Sequence, residues 1–345
     1  MKRHTYYIRA VLLVLLPLMA SCRKELCYNH FRAVAIDLDW EYEWERDYGM
    51  NHKSTWDSSL HGFEYDHLRP EQPEWVNIIR FSEAGPQYET YLSVDGGDVM
   101  VDEGDGQSFL LYNGDTQYII LSDMVSAPNA RASATGRSRS SLSYVSQVHP
   151  NARTTNPPDV IYSAYIENVP AVEVHEKRPI RVKMQPLVYT YVLRYEFEHG
   201  IEHVALARGA LGGMAESVYL RDGVTSDNSS IILYDCDIKD YGCEAHVRSF
   251  GVPGFPDEYF GQQITPVGEK RPYTLNLEVR LKNGTYVEFN YDITEQIEKQ
   301  PRGGVITISG VRIEDYQNQI ESGFVVNVDD WGDREDIELP VGPQP

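Results

Sequence analysis

Residues 33–44 alternate without a break: Val34, Ile36, Leu38, Trp40, Tyr42 and Trp44 stand against Ala35, Asp37, Asp39, Glu41 and Glu43. A period of two puts the two sets on opposite faces of an extended chain, so the stretch reads as a half-buried strand, apolar on one side and acidic on the other. Short runs of the same kind recur at 75–81, 89–94, 98–101, 109–112, 117–121 and 160–169, then at 181–198, 275–293 and 304–315. Residues 293–300 read as a short helix. With 26 Gly and 19 Pro to make turns, and 24 Tyr to populate strands, the chain is expected to be all-β.

The pattern divides the chain in two. Residues 33–170 form the expected N-terminal β-sandwich domain and 171–341 the C-terminal one, with late strands at 323–331 and 335–341. Residues 126–158, rich in Ser, Ala, Arg and Pro, read as a long exposed loop whose Arg131, Arg137 and Arg139 are solvated. Asn113-Gly114 predicts a tight hairpin between 109–112 and 117–121. In 181–198 the residues Leu187, Tyr189, Tyr191, Leu193, Tyr195 and Phe197 share one face, and Val188, Thr190 and Val192 make the other partly apolar, as in a central strand. Gly209, Gly212 and Gly213 form no phosphate loop and predict a bend or close backbone packing. In 275–293, a two-residue Asn-Gly turn would set Val279 against Glu288. A three-residue loop, 282–284, instead pairs Val279 with Val287 and Leu277 with Phe289, so the apolar faces agree and the three-residue loop is expected.

The first 22 residues address the chain. Lys2, Arg3 and Arg9 precede an apolar run from Ala10 to Leu18, and Met19-Ala20-Ser21 lead into Cys22. That run is too short to cross ~30 Å of hydrocarbon as a helix and reads as an export signal. A cysteine directly after small residues marks a lipoprotein signal, 1–21, with Cys22 as the lipid attachment site and 22–32 as a tether. Acyl chains at ~0.8 kcal/mol per buried methylene would hold the rest at the outer membrane.

A formal charge of −21 repels phosphate backbones, so no nucleic-acid partner is expected. Cys236 and Cys243, close together in an acidic loop, are candidates for a disulfide in an oxidising envelope, leaving Cys27 over. His61, Asp66 and His67 match no metal-ligand spacing, and neither metal nor cofactor is expected. The segment IDLDWEY resembles the catalytic strand of chitinase-type glycosidases, pattern DxxDxDxE, in which Glu41 would be the acid. Val34 stands where that pattern opens with Asp, and no βα units of a barrel precede it. A solvated acidic face explains the same carboxylates. No GxSxG or Ser-His-Asp order is present, and no enzyme is expected.

Three stretches carry a family resemblance: RVKMQPLVYTYVLRYEF followed by ALGGMAESVYLRDG, then DITEQI ahead of a strand, and GFVVNVDDWGDREDIELP near the end. Together with the lipoprotein signal they resemble the fimbrillin superfamily, the type V pilus subunits and anchor lipoproteins of Bacteroidales. The resemblance implies two tandem transthyretin-like, immunoglobulin-like β-sandwiches, outer-membrane anchoring and no catalysis. It further implies assembly by strand addition, in which a stalk subunit loses its first strand to an Arg-directed protease and receives a neighbour's. Anchor subunits keep theirs. Here that strand is 33–44, flanked by Arg32 and Arg46, with Val34, Ile36, Leu38, Trp40 and Tyr42 as its candidate groove-filling residues. The expected function is a surface-exposed fimbrial anchor, accessory or tip subunit whose partners are other fimbrial subunits and surface glycans or proteins. The alternative is a glycan-binding lipoprotein of a polysaccharide-uptake system, using a tryptophan such as Trp56 or Trp75; a glycosidase is the remote alternative. Replacing Cys22 with Ala should abolish metabolic palmitate labelling and move the protein from the membrane pellet to the soluble fraction; retention in the pellet would contradict the lipid assignment.

Overall fold

The structure, a computed structural model, describes residues 32–82, 85–101, 106–139, 143–169, 179–256 and 272–314. Cys22, Cys27 and the strands expected at 323–331 and 335–341 lie outside the described residues. The protein is all-β, two β-sandwiches in tandem, with a small third sheet packed between them. In chain order the first half contributes β1 (Arg32–Trp40), β2 (Val76–Ser82), β3 (Gly85–Leu92), β4 (Gly96–Val101), β5 (Gln107–Asn113), β6 (Ile119–Ser122), β7 (Arg131–Ala134), β8 (Arg153–Thr155), β9 (Tyr162–Val169) and β10 (Ile180–Pro186). The second contributes β11 (Tyr189–His199), β12 (Val204–Ala215), β13 (Ser217–Tyr219), β14 (Ser229–Lys239), β15 (Gly242–Ser249), β16 (Thr274–Leu281), β17 (Tyr286–Asp292) and β18 (Gly304–Arg312).

The first sandwich has the strand order β3-β2-β5-β9-β10-β1-β4. Val34, Ile36, Val76, Ile78, Phe109, Leu111, Val182 and Met184 fill its interior. The second has the order β17-β16-β12-β14-β15-β11-β18. It closes on Tyr191, Leu193, Tyr195, Leu211, Ile232, Leu275, Leu277 and Ile306. Alternation along each strand assigns one face to these interiors, the outcome period-two patterning leads one to expect.

Four expectations change in detail. The stretch 181–198 is two strands, not one. Pro186 has no N–H to extend a ladder, so β10 ends there, paired in parallel with β1, and the chain passes through Leu187 and Val188 into β11. β10 therefore still belongs to the first sandwich's sheet, and β11 opens the second's. Asn113-Gly114 makes no hairpin, because β6 leaves for the small sheet β13-β7-β6. The Asn113 side chain is buried instead, donating to Val160 O (3.1 Å) and accepting from Tyr162 N (2.7 Å). The loop expected around Cys236 and Cys243 is a hairpin, with Lys239 opposite Gly242. The 126–158 stretch, expected as an exposed loop, contains β7, the helix Ser143–Val148 and β8.

Other expectations stand. Val279 pairs with Val287 and Leu277 with Phe289, and Gly284 adopts φ 89° in the three-residue loop. Residues Thr294–Lys299 are helical. At Gly212–Met214 the β12 register shifts with Gly213 at φ 94°, the bend the glycines predicted.

The helix and the turn after it cover a face, while β8 extends the sheet and β7 joins the small one. On the outer side of β12 and β14, Ala210, Ile231 and Leu233 pack under Val145. β8 runs parallel to β14. Arg137 reaches Leu233 O (3.1 Å) and Asp235 (3.0 Å), and Arg139 pairs at 3.0 Å with buried Glu278. The arginines thus fasten this segment to the second sandwich. Arg131 stays within the small sheet's hairpin, on Asp123 at 2.8 Å. A second segment, 41–68, covers the outer face of β11 and β18. Trp44, Tyr65, Trp56 and Phe63 pack over Val192 and Val305, and Arg194 donates to Leu60 O at 2.7 Å. That cover explains why β11 is apolar on both faces. Between the sandwiches, Ile79, Leu110 and Ile161 meet Ala132, Leu187, Val218 and Phe250 in one shared core.

Each cover holds a histidine, His149 buried and His61 half-buried. His149 sits against Gly212 with its ring 3.0 Å from Thr274 Oγ1, and His61 stacks on Trp56 with ring centres 3.9 Å apart. Burial pulls both imidazoles below their ordinary range, and the Arg194 charge adds to the effect at His61. Their stabilising contribution is complete above the unfolded value near ~6.5 and is lost as pH falls through it toward the lower folded values. The melting temperature should therefore drop between pH 7.5 and 5, and His149→Gln should flatten that slope. An identical slope in the variant would show that this histidine plays no part.

Candidate functional site

Two features are candidates for function: the first strand with its exit, and the cleft at the junction of the sandwiches. β1 is bonded on both edges, in parallel to β10 from Ile36 to Trp40 and antiparallel to β4 from Arg32 to Asp37. Of the candidate groove-filling residues, Val34 and Ile36 are fully buried, and Leu38 and Trp40 pack against the same interior. Trp40 donates to Val94 O (2.7 Å) and meets the Tyr162 ring edge-on at 4.9 Å. The strand stops at Trp40, so Tyr42 lies beyond it, half-buried, and Trp44 enters the cover of the second sandwich. The acidic face reads as solvated: Asp37 and Asp39 are exposed, and Glu41 is paired with Arg46 and with Lys183 at 2.9 Å. Those hydrogen bonds and charges hold its carboxyl below the usual range against the opposing effect of burial. A paired carboxylate at the end of a sandwich strand lacks the barrel setting that the glycosidase pattern requires.

The exit of β1 is tied to the second sandwich by main-chain bonds. Thr190 N donates to Trp44 O and Arg46 N to Arg302 O, both at 2.8 Å. Gly303 lies against this crossing at φ 79°, where a Cβ would come 2.8 Å from Trp44 O. Buried Arg302 donates to the Tyr189 hydroxyl (3.2 Å) and to Gly223 O, with its guanidinium 4.2 Å from the centre of the Phe255 ring. The Tyr189 hydroxyl in turn donates to Pro186 O at 2.8 Å. Beside it, Glu45 accepts from the Tyr65 hydroxyl at 2.9 Å, and burial pushes that carboxyl up. The flanking Arg46 is therefore part of the joint, held by Glu41 and the Tyr189 hydroxyl.

Next to this joint a cleft of about 620 Å³ opens between the halves. Segment 67–74 forms one wall, Asn113, Asp115 and Asp159 another, and Thr190, His246 and Arg248 the floor. Asp159 Oδ2 accepts from the Gln117 and Tyr118 amides, while Oδ1 stands 3.9 Å from the Arg248 guanidinium. Asp115 accepts from Glu74 N at 3.0 Å and from Asn113 at 2.8 Å. Glu71 and Gln72 are exposed. Behind the Asn113–Asp115 wall, Trp75 packs against Gly114 and meets Tyr91 with ring centres 6.2 Å apart and planes at 84°. Sequence reasoning singles out Trp44, His67, Asn113, Val188 and Thr190 for other reasons but does not bring them together, because the lining comes from six separated segments.

The remaining sequence candidates lie elsewhere. Cys236 and Cys243 are free thiols, not a disulfide. Ile238 is the residue opposite Cys243, so Cys236 is its diagonal neighbour. Diagonal positions stand ~7–8 Å apart, whereas a disulfide wants Cβ atoms at ~3.5–4.5 Å. Burial also pushes the Cys243 thiol up to about 12. His61, Asp66 and His67 do not converge: His61 stacks on Trp56, and Asp66 pairs with Arg69 at 3.0 Å. Among the described residues no group of His, Cys, Asp and Glu is placed to hold a metal. Trp56 is spent inside the cover, donating to Phe63 O at 2.9 Å.

Residues 62–235 match the family described as Domain of unknown function, DUF5119. No curated protein matches the sequence. Among solved structures the chain is similar to a candidate adhesin from Bacteroides ovatus, with 19 % identity and a TM-score of 0.56 over 85 % of this chain and 95 % of that one. A second candidate adhesin from Bacteroides ovatus aligns at 10 % identity and TM-score 0.45, over 81 % and 89 % of the two chains. The fimbrial anchor protein Mfa2 from Porphyromonas gingivalis aligns at 10 % and 0.41, over 80 % and 90 %. The first of these likenesses establishes a shared fold and nothing more.

Truncating Trp40 removes the last anchoring side chain of β1 before the joint. Trp40→Ala should lower the unfolding free energy by about 2–3 kcal/mol and speed amide exchange along β1. Unchanged exchange there would show that the strand is held by its main-chain ladder alone.

Proposed function

The chain belongs to the DUF5119 family, and on that premise we propose that it is a non-catalytic cell-surface lipoprotein, a fimbrial anchor or accessory subunit with an adhesive role. The observation that carries the reading is the state of the first strand. β1 is paired on both edges and its exit is built into the second sandwich through Trp44 and Arg46. A strand that is given up for a neighbour's must leave cheaply. Here, withdrawal after a cut at Arg46 would expose Val34, Ile36 and the Trp44 pocket at once. This is the behaviour of a subunit that fills its own groove and holds others by its edges, as the fimbrillin resemblance implies for anchors. Shared fold with a candidate adhesin, and the lipid that the sequence leads one to expect at Cys22, are consistent with that place at the surface.

The partners on this reading are other fimbrial subunits, and the route to them is main-chain pairing at exposed edges. Among the described strands β17 ends one sheet and alternates between exposed and half-buried residues along its whole length. It is the edge the proposal favours for such contact.

Surface shearing of cells followed by affinity capture of the lipidated protein should recover fibre subunits. Treating intact cells with an Arg-specific protease should leave residues 33–46 attached. Recovery of the chain without co-purifying subunits, or with β1 cleanly removed, would overturn the anchor reading.

A further inference from the structure

We propose that the cleft between the two sandwiches binds a neutral oligosaccharide, with Trp75 and Tyr91 taking a sugar ring beside its Asn113–Asp115 wall and Asp159, Arg248, Glu71 and Gln72 taking hydroxyls inside. The inference rests on the adhesive reading above and names the chemistry of one adhesive surface.

Size and place come first. Small-ligand sites are concave, ~300–1,000 Å³, and favour the junctions of domains. This cleft, at about 620 Å³, fits on both counts. Its walls are held from both sides: Asp159 by two amides of the first half, and the floor strands by the shared core and the Arg302 joint. A preformed site of this kind loses little in ordering when a ligand enters.

The lining chemistry then selects the class. Four carboxylates, Glu71, Glu74, Asp115 and Asp159, face two guanidiniums, Arg69 and Arg248, in a chain of net charge −21. An anionic ligand is repelled by that balance. An apolar one would strip water from charged groups and offer them nothing in return. A polyol does neither, because each hydroxyl both donates and accepts. Asp159 Oδ1 and Arg248, 3.9 Å apart, present an acceptor beside a donor, the pair that two neighbouring hydroxyls can bridge.

The Trp75–Tyr91 pair supplies the apolar complement. Tyr91 is 69 % exposed and stands edge-on to Trp75, so one broad ring face remains open to solvent. A sugar ring has a C–H face to lay on such a surface, while its edge hydroxyls turn to the polar walls. Trp75 is held in place by Gly114, where a Cβ would come 2.5 Å from the indole nitrogen.

The test titrates the full chain, purified in detergent, with a panel of neutral hexasaccharides of gluco, manno, galacto and xylo configuration, read by calorimetry and tryptophan fluorescence. Hyaluronan fragments of similar length serve as the anionic comparison. At least one neutral member should bind saturably and quench tryptophan emission, and hyaluronan should not. Tyr91→Ala and Arg248→Ala should each weaken that binding about tenfold or more. Gly114→Ala, which crowds the Trp75 indole and the Asn77 side chain beside the Asn113–Asp115 wall, should weaken it as well. Absence of binding across the neutral panel, preference for hyaluronan, or equal affinity in the Tyr91 and Arg248 variants would overturn the proposal. The same variants are scored for recovery of fibre subunits after shearing. Loss of sugar binding with fibre recovery intact separates this site from the anchor role, and failure of fibre recovery in the unaltered protein bears on the anchor role alone.

Discussion

The structure depends on covering the outer faces of the second sandwich. Its β11 and its β12–β14 pair carry apolar residues on both sides, Val192 on one sheet and Ala210, Ile231 and Leu233 on the other. A sandwich buries one face of each sheet by itself; the other faces need a partner or they stay wet at a cost that grows with apolar area. Both partners come from the first half of the chain. Segment 41–68 lies over β11 and β18, and segment 126–158 lies over β12 and β14, so the second sandwich is gripped from two sides.

This grip has mechanical consequences. A tandem pair joined only at 187–188 would hinge, as domains with small polar interfaces do. Here two covers, a shared apolar core and the Arg302–Tyr189 joint cross the boundary. A pulling force on the N-terminal side of β1 would reach the second sandwich along the Trp44 and Arg46 main-chain bonds rather than through one flexible linker. A rigid junction is also what permits a polar cleft between the halves to keep its shape, since its walls belong to different segments. The buried polar groups at the joint are satisfied in pairs. Glu45 has the Tyr65 hydroxyl, and Glu278 has Arg139 and Arg208. Removing one member would strand the other, which makes such pairs specific to this one packing.

Much of the local structure was legible beforehand, because it rests on near neighbours. The β1 alternation from Val34 to Trp40, the loop at Gly284, the helix Thr294–Lys299 and the bend at Gly213 follow from side-chain period and turn stereochemistry. Readings failed where a local signal met a distant partner. Asn113-Gly114 has the composition of a tight turn, yet the Asn113 side chain is drawn to Val160 and Tyr162, some fifty residues on. The Ser- and Arg-rich stretch 126–158 looks solvated until Arg137 and Arg139 meet Asp235 and Glu278. Cys236 and Cys243 are close along the chain, but the hairpin register sets them diagonally and leaves both thiols free.

By itself, the sequence determined that this chain is built of strands, which face of each strand is apolar, and how the short turns close, since those depend on residues a few places apart. Only the tertiary structure decided which segments cover the second sandwich, where the chain passes from one sandwich to the other, and that Glu71, Asp159 and Arg248 border a common cleft. The reason is physical: apolar period marks a face for burial without naming the surface that will bury it, and that surface here comes from the opposite half of the chain.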